Sequence, residues 1–136
     1  MFGSLDVSTS ALVAQRVRLD TIAGNVANAY TLHRADGQPG PYQRRFAVFA
    51  SGDGKGGAGV HVEKVAEDAS PPRMVYEPDH PDAIPEGRWK GYVAYPNVEP
   101  ITEMTNAMLA SRAYEANLSV MDATKRMIAS SMRILA

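Results

Sequence analysis

The chain contains no cysteine, no excess of charge of one sign and no long hydrophobic run. Without cysteine, disulfide staples, thiolate metal sites and cysteine nucleophiles are excluded. The 14 Lys and Arg residues balance 15 Asp and Glu residues, so we expect no nucleic-acid partner. The apolar run at 11–14 is too short for a signal peptide or a membrane span. We therefore expect no direct membrane insertion, and either cytoplasmic residence or export that does not depend on a Sec signal.

Proline and glycine are almost missing from the two ends of the chain. All 9 prolines lie between Pro39 and Pro100, and only Gly3 and Gly24 lie outside the stretch 37–91 among the glycines. Since both residue types interrupt helices, the two ends are free to form long ones. The segment 101–136 contains neither residue, and as a continuous helix it would extend roughly 54 Å.

Apolar residues recur at alternating spacings of three and four in the C-terminal segment, which is typical of a coiled-coil seam. The predicted seam is Met104, Ala107, Ser111, Tyr114, Leu118, Met121, Lys125, Ile128, Met132 and Leu135. Pro100, followed by Thr102 and Glu103, is typical of a helix start. We therefore predict one long amphipathic helix that begins near Pro100.

A shorter seam with the same spacing lies near the N-terminus. Its positions are Leu5, Ser8, Leu12, Gln15, Leu19, Ile22 and Val26. Ser8 and Ser10 are candidates for the cap of this helix. Gly24 costs about 1 kcal/mol relative to alanine in a helix interior, so it requires a reason. Close packing against its backbone is the favoured reason, and an approaching helix end is the other.

The centre of the chain has the pattern of short strands. Segments 44–50 and 60–65 are predicted strands, and the glycine-rich run 52–59 between them is the predicted hairpin loop. Further extended segments are predicted at 74–77 and 91–95.

The predicted fold class is α+β, with long N- and C-terminal helices forming a coiled-coil-like axial core and a small central β-rich module. We divide the chain into an N-terminal helix and its exit at 1–36, the β-rich module at 37–100, and the C-terminal helix at 101–136. Two apolar stripes of unequal length cannot cover each other completely, which predicts self-association or assembly with related subunits. The simpler alternative is a helical hairpin packed on the β-rich module.

The chain contains one letter match to a nucleotide-binding motif. Residues 52–57 match the dinucleotide fingerprint, but the residues after them predict a strand where that mechanism needs a helix N-terminus. A flexible hairpin loop is the better explanation. We therefore expect no nucleotide cofactor.

The histidines do not form a metal motif in the sequence. His33, His61 and His80 lie far apart, and only His80 has close acidic neighbours. Aspartates in a proline-rich loop favour local turn hydrogen bonds, so we expect no metal, no cofactor and no catalytic residue. The best candidates for an enzymatic or ligand site would be Asp79, His80, Asp82 and Glu86.

Asparagine is costly on a buried helix face unless its amide is hydrogen bonded. Asn25 and Asn28 are spaced by three and share a helix face, and Asn117 lies in the C-terminal helix. Their amides fix the register of an interface in one hypothesis. In the other hypothesis, residues near Asn28 cap the end of the first helix.

The segment 22–31, with its Asn-Val-Ala-Asn core, resembles the N-terminal signature of the flagellar rod, hook and hook-associated family. The segment 103–117, with Glu-Met and then Arg-Ala-Tyr-Glu-Ala-Asn, resembles the terminal helix of the same family. Segments 75–83 and 91–98 are similar to those of its proximal-rod members. The loop 84–90 departs from the family pattern in being longer.

This resemblance implies a structural subunit of the proximal rod of the bacterial flagellar basal body, and not an enzyme. The implied partners are copies of the chain, other flagellar rod proteins and the flagellar type III export apparatus. The family's terminal segments tend to become ordered on assembly. The alternatives are a peptidoglycan-acting or ligand-binding module and a cytoplasmic coiled-coil adaptor.

The expected assembly interface combines apolar residues of both seams with the asparagines. Apolar burial is assigned to Leu12, Leu19, Ile22, Val26, Tyr114, Leu118, Met121, Ile128, Met132 and Leu135. Register is assigned to Asn25, Asn28 and Asn117.

Overall fold

A computed structural model describes residues 2–54 and 56–135, and the side chains of 3–54 and 56–134. Its elements, in chain order, are helix α1 (Phe2–Ala27), strands β1 (Arg45–Ser51), β2 (Val60–Glu67), β3 (Arg73–Tyr76) and β4 (Tyr92–Tyr95), and helix α2 (Pro100–Leu135). Two terminal helices therefore flank a small β module, which confirms the predicted α+β class.

Helix α1 begins at Phe2, several residues earlier than the sequence pattern predicted. Ser8 and Ser10 therefore lie inside the helix, and the prediction that one of them caps it is wrong. The Ser8 hydroxyl donates to the Ser4 carbonyl at 3.0 Å, and the Ser10 hydroxyl donates to the Val7 carbonyl at 2.7 Å. The Ser10 hydroxyl also accepts a hydrogen bond from the Val60 amide at 3.1 Å, so it ties α1 to the start of β2.

Close packing does not explain Gly24. A Cβ atom added there would meet no atom of the described residues within 4 Å. The Gly24 carbonyl accepts hydrogen bonds from the Asn28 amide at 3.1 Å and from the Asn28 side chain at 2.9 Å. Proximity to the end of α1 is therefore the explanation that the structure supports.

Replacing Gly24 by alanine should stabilise the isolated chain. The helix gains about 1 kcal/mol from the lower backbone entropy of the unfolded state, with no steric cost in the folded state. We expect the midpoint of thermal unfolding, followed by circular dichroism, to rise by about 4 °C. Ala23→Gly, at an exposed neighbouring position, should lower the midpoint by a similar amount. An unchanged or lower midpoint for Gly24→Ala would contradict this account.

The β module consists of two separate antiparallel pairs. Strand β1 pairs with β2 from Arg45 opposite Glu67 to Ser51 opposite Val60, and the register shifts between Val48 and Phe49. The run 52–59 joins them, as predicted. Strand β3 pairs with β4. An isolated two-stranded hairpin is marginally stable, so the packing of β1 and β2 against α1 supports the first pair.

The two helices form an antiparallel pair, with the end of α1 beside the start of α2. Helix α1 has 26 residues and α2 has 36, so α2 extends about 15 Å further. The core is small and rich in alanine. Its buried apolar residues are Ala14, Ile22, Ala29, Val93, Val98 and Ala110. Neither helix, over its described residues, has the combination of length and apolar character that crossing a bilayer requires.

Candidate assembly interface

A buried polar cluster joins the end of α1, the start of α2 and the strand β1. Asn25 and Glu103 are 0% and 1% exposed. The Asn25 amide nitrogen donates to the Arg45 carbonyl at 2.7 Å and to Glu103 Oε2 at 2.9 Å. The Asn25 amide oxygen accepts hydrogen bonds from the Arg45 amide at 2.8 Å and from the Tyr42 hydroxyl at 3.0 Å. Both donors and both acceptor positions of the Asn25 side chain are therefore used within the chain.

An arginine balances the buried charge of Glu103. Arg44 Nε donates to Glu103 Oε1 at 2.7 Å, and the same guanidinium lies 3.7 Å from Asp68. The Arg44 backbone amide donates to the Asn97 side chain at 2.8 Å. A buried carboxylate that is paired and hydrogen bonded on both oxygens fixes geometry more than it adds stability. We name Asn25, Tyr42, Arg44 and Glu103 the helix clasp.

Tyr42 makes the helix clasp sensitive to alkaline pH. Burial raises the pKa of Tyr42 above its ordinary value of 10.0, and the charge of Arg45 offsets part of that rise. The folded state therefore holds the phenol proton more tightly than the unfolded state does. The contribution of this group to the free energy of unfolding should be fully present at neutral pH and should fall as pH rises above 10.0.

Tyr42→Phe should lower the free energy of unfolding by about 1 kcal/mol at neutral pH, because the hydrogen bond to Asn25 is lost. The variant should also lose less stability than the wild type above pH 10.0, since it lacks the phenol whose pKa is raised in the folded state. Urea unfolding at a series of pH values measures both effects. Tyr76→Phe, at an exposed position, is the matched control. Equal effects of the two substitutions would mean that the clasp hydroxyl has no special role.

The asparagines divide between the two explanations that the sequence left open. Asn25 fixes register, but it does so within the chain. Asn28 caps α1, since its side chain donates to the Gly24 carbonyl and accepts from the Thr31 hydroxyl at 3.1 Å. Asn117 is half-buried and makes no side-chain hydrogen bond to the described residues. Of the three, Asn117 alone keeps its amide available to a neighbouring chain.

The face of α2 that meets α1 is shifted from the predicted seam. Five members of that seam are half-buried, namely Ala107, Ser111, Tyr114, Met121 and Ile128. Met104, Leu118 and Met132 are exposed, and the more buried positions lie one residue earlier, at 103, 110, 117, 124 and 131. Glu103, Asn117 and Ser131 are polar, so a search for apolar periodicity does not select these more buried positions. The side chain of Leu135 lies outside the described residues.

The predicted residues of α1 fall on two parts of its surface. Ile22 is buried, and it lines a groove together with Asn106 of α2. Leu12, Leu19 and Val26 are spaced by seven and are half-buried. Ile22, like Asn25, therefore has its contacts within this chain, whereas Leu12, Leu19 and Val26 keep part of their surface open.

A second apolar seam on α2 is not covered by the rest of the chain. Leu109, Val120, Met127 and Ile134 are 52%, 56%, 62% and 84% exposed. Together with Ala113, Ala116, Ala123 and the polar Ser130 they follow the spacing of three and four residues. We name Leu109, Val120, Met127 and Ile134 the outer apolar stripe. Sequence reasoning missed it, although a second apolar heptad register was the signal that could have found it.

Each of the three histidines contacts a loop residue of the same chain. His33 Nε2 lies 3.0 Å from Asp82 Oδ1, and the Asp82 amide donates to His80 Nδ1 at 3.1 Å. His61 Nδ1 lies 2.9 Å from the Gly52 carbonyl at the hairpin loop, whose Lys55 lies outside the described residues. Within 2–54 and 56–135, no three His, Asp or Glu side chains are placed to hold a metal ion.

Two family models match the terminal parts of this chain. The one described as "Flagella basal body rod protein" matches residues 5–31, which include most of α1. The one described as "Flagellar basal body rod FlgEFG protein C-terminal" matches residues 90–134, which include β4 and nearly all of α2. Both terminal helices therefore have the sequence character of rod proteins. They carry Asn25 and Glu103 of the helix clasp, and α2 carries the outer apolar stripe.

Whole-chain relatives agree with the family models. The flagellar basal-body rod protein FlgC of Borreliella burgdorferi is 40% identical, with 99% of this chain and 97% of its own length aligned. FlgC of Bacillus subtilis is 40% identical over 98% and 97%, and FlgC of Escherichia coli is 41% identical over 95% and 93%. This chain belongs to the FlgC family of flagellar basal-body rod proteins.

Proposed function

We propose that this chain is a structural subunit of the proximal rod of the flagellar basal body and that it assembles through its terminal helices. Its partners in this proposal are copies of itself and other rod proteins. The resemblance to axial proteins also implies passage through the flagellar export apparatus. The proposal assigns no catalytic role to the chain, and it gives the polar clusters a structural one.

The observation that carries the proposal is the outer apolar stripe. A large apolar seam left open along a helix is rare on a soluble monomer and marks an interaction surface. The stripe also follows coiled-coil spacing, so it suits packing against another helix. Its last members lie where α2 extends beyond α1, which leaves them for a neighbouring subunit to cover.

The remaining open residues of both helices belong to the same proposed interface. Leu118 and Met132 lie exposed on α2, and Leu12, Leu19 and Val26 keep open surface on α1. Tyr114, Met121 and Ile128 contribute the part of their surface that α1 leaves uncovered. Asn117 supplies a free amide to fix register.

Deletion and complementation test the proposal directly. Cells that lack the chain should be non-motile and should yield no complete rods, and the wild-type chain should restore both. An epitope-tagged chain should co-purify with basal bodies after membrane extraction, while a tagged export substrate of the filament serves as the fractionation control. A chain that stays in the soluble cytoplasmic fraction of motile cells would overturn the proposal.

A further inference from the structure

A groove lies where α1, α2 and β1 meet, on the side of the molecule that carries Asn106. It has a volume of about 260 Å³, and its walls include Arg18, Arg44, Arg45, Phe46 and Phe49. Three of the lining residues are arginines, and no carboxylate of the described residues lines it. The groove is therefore cationic with an apolar wall, although the chain as a whole has a net charge of −1.

Counting contacts with the described residues, one of the three arginines lacks a partner. Arg44 pairs with Glu103 and Asp68, and Arg45 pairs with Glu67 at 3.2 Å. Arg18 is half-buried and makes no hydrogen bond or ion pair with the described residues. A guanidinium that has lost part of its hydration and has no counter-charge is suited to a carboxylate from another chain.

The same chain carries a complementary surface on α2. Glu115, Leu118 and Asp122 are spaced by three and four, are exposed, and form one edge of the helix. Neither carboxylate makes a hydrogen bond or ion pair with the described part of the chain. We name these three residues the acidic edge. Its charges match the free Arg18, and Leu118 matches the phenylalanine wall of the groove.

One chain cannot bring its own acidic edge into its own groove. Asn106 of α2 lines the groove, and Glu115 lies about 180° around the helix axis from Asn106. Asp122 lies about 160° around from Asn106 and about 24 Å along the axis. The two surfaces therefore point to opposite sides of the molecule.

We propose that the groove around Arg18 receives the acidic edge of a second copy of this chain. The inference rests on the proposed rod function and names a contact within it. Groove and edge are different surfaces, so the contact is head-to-tail and leaves a free groove and a free edge on each pair. Such a contact repeats from copy to copy around a ring or along a helical path, and either arrangement can form part of a tubular wall.

A charge swap tests the contact. Arg18→Glu should reduce the yield of basal bodies about tenfold or more, because like charges then face each other. Glu115→Arg or Asp122→Arg should do the same, and combining one of them with Arg18→Glu should restore assembly. Arg16→Glu, at an exposed site on the same helix that does not line the groove, should leave the yield unchanged. Failure of both combinations to restore assembly would overturn the inference.

Cysteine cross-linking keeps the test decisive if Arg18→Glu does not fold. The chain has no cysteine of its own, so Phe46→Cys with Leu118→Cys introduces the only two thiols. Leu118 lies about 18 Å along α2 from the groove residue Asn106, so a disulfide must join two chains. Oxidised basal bodies should yield linked multimers, and single-cysteine chains should not. If basal bodies contain the double-cysteine chain but no multimers form, this contact is wrong and the rod function stands.

Discussion

Replacing Glu103 by alanine should lower the free energy of unfolding by about 3 kcal/mol, a large part of the stability of a domain this size. The substitution removes the acceptor of the Arg44 Nε hydrogen bond and one acceptor of the Asn25 amide. The Asn25 amide would keep one unpaired donor in a site closed to water, while the Arg44 guanidinium, whose side chain is 26% exposed, would keep its longer contact with Asp68. The cost is therefore that of an unpaired buried amide and a lost counter-charge, which exceeds the net contribution of the pair itself.

Urea unfolding followed by far-ultraviolet circular dichroism measures this cost. Glu103→Gln gives a graded comparison, since its amide can accept one of the two hydrogen bonds but presents a donor to the other. Glu99→Gln makes the same chemical change at an exposed residue one turn earlier, and we expect almost no effect from it. If Glu103→Gln and Glu99→Gln were equivalent, the clasp would not hold the helices in register.

Charging the outer apolar stripe should abolish rod assembly. Val120→Glu combined with Met127→Glu places two carboxylates where the proposed interface buries apolar surface. Desolvating unpaired charges should reduce assembled rods about a hundredfold or more. The isolated chain should unfold at the same urea concentration as the wild type, because both residues are exposed within it. Motility assays and counts of basal bodies give the result in cells.

The polar face of α2 offers a matched control for the stripe. Ser119→Glu with Arg126→Glu changes two exposed residues at the same spacing of seven, each directly beside a stripe residue. Both positions border the acidic edge, whose negative sign the new carboxylates keep, and neither enters the apolar seam, so we expect rods and motility to persist. Motile cells carrying the Val120 and Met127 substitutions would exclude the stripe as an assembly surface.

The helices and the hairpin could be predicted because their signals are local. Pro100 fixes the start of α2, and the absence of proline and glycine beyond it allows the helix to continue. The glycine run 52–59 separates two alternating segments, which is sufficient to predict a hairpin. The pairing of β3 with β4 joins segments that a long loop separates, and no local pattern specified it. The division at 36 and 100 stays a prediction.

The seam of α2 could be predicted only in part, because apolar periodicity does not say which partner an apolar residue meets. Leu118 and Met132 fit the predicted seam by hydrophobicity, but α1 packs instead against the neighbouring polar positions. A chain built to contact both itself and other subunits carries more than one apolar register. The sequence shows all of these apolar positions together. Only the packing of the folded chain shows which of them face α1 and which stay open for other subunits.

The helix clasp could not be predicted, because its partners are distant in sequence. Glu103 meets residues 59 and 78 positions earlier, at Arg44 and Asn25. The sequence marks Glu103 as part of a helix start and of the family-like segment 103–117, but no local pattern shows that the fold buries it. Asn25 was identified from its residue type and helix face, and only the structure shows that its amide bonds inside the chain.

The hydrogen bonds of the helix clasp join α1 and α2 at one end of the helix pair. Beyond Ala110, the face of α2 that meets α1 alternates the half-buried Tyr114 and Met121 with the polar Asn117 and Thr124. Apolar contacts are non-directional and constrain geometry less than the hydrogen bonds of the clasp do, so the clasp can serve as a pivot about which the far ends of the helices splay or close. Subunits with such a pivot can adjust to unlike neighbours above and below them while the base of each helix pair keeps its shape.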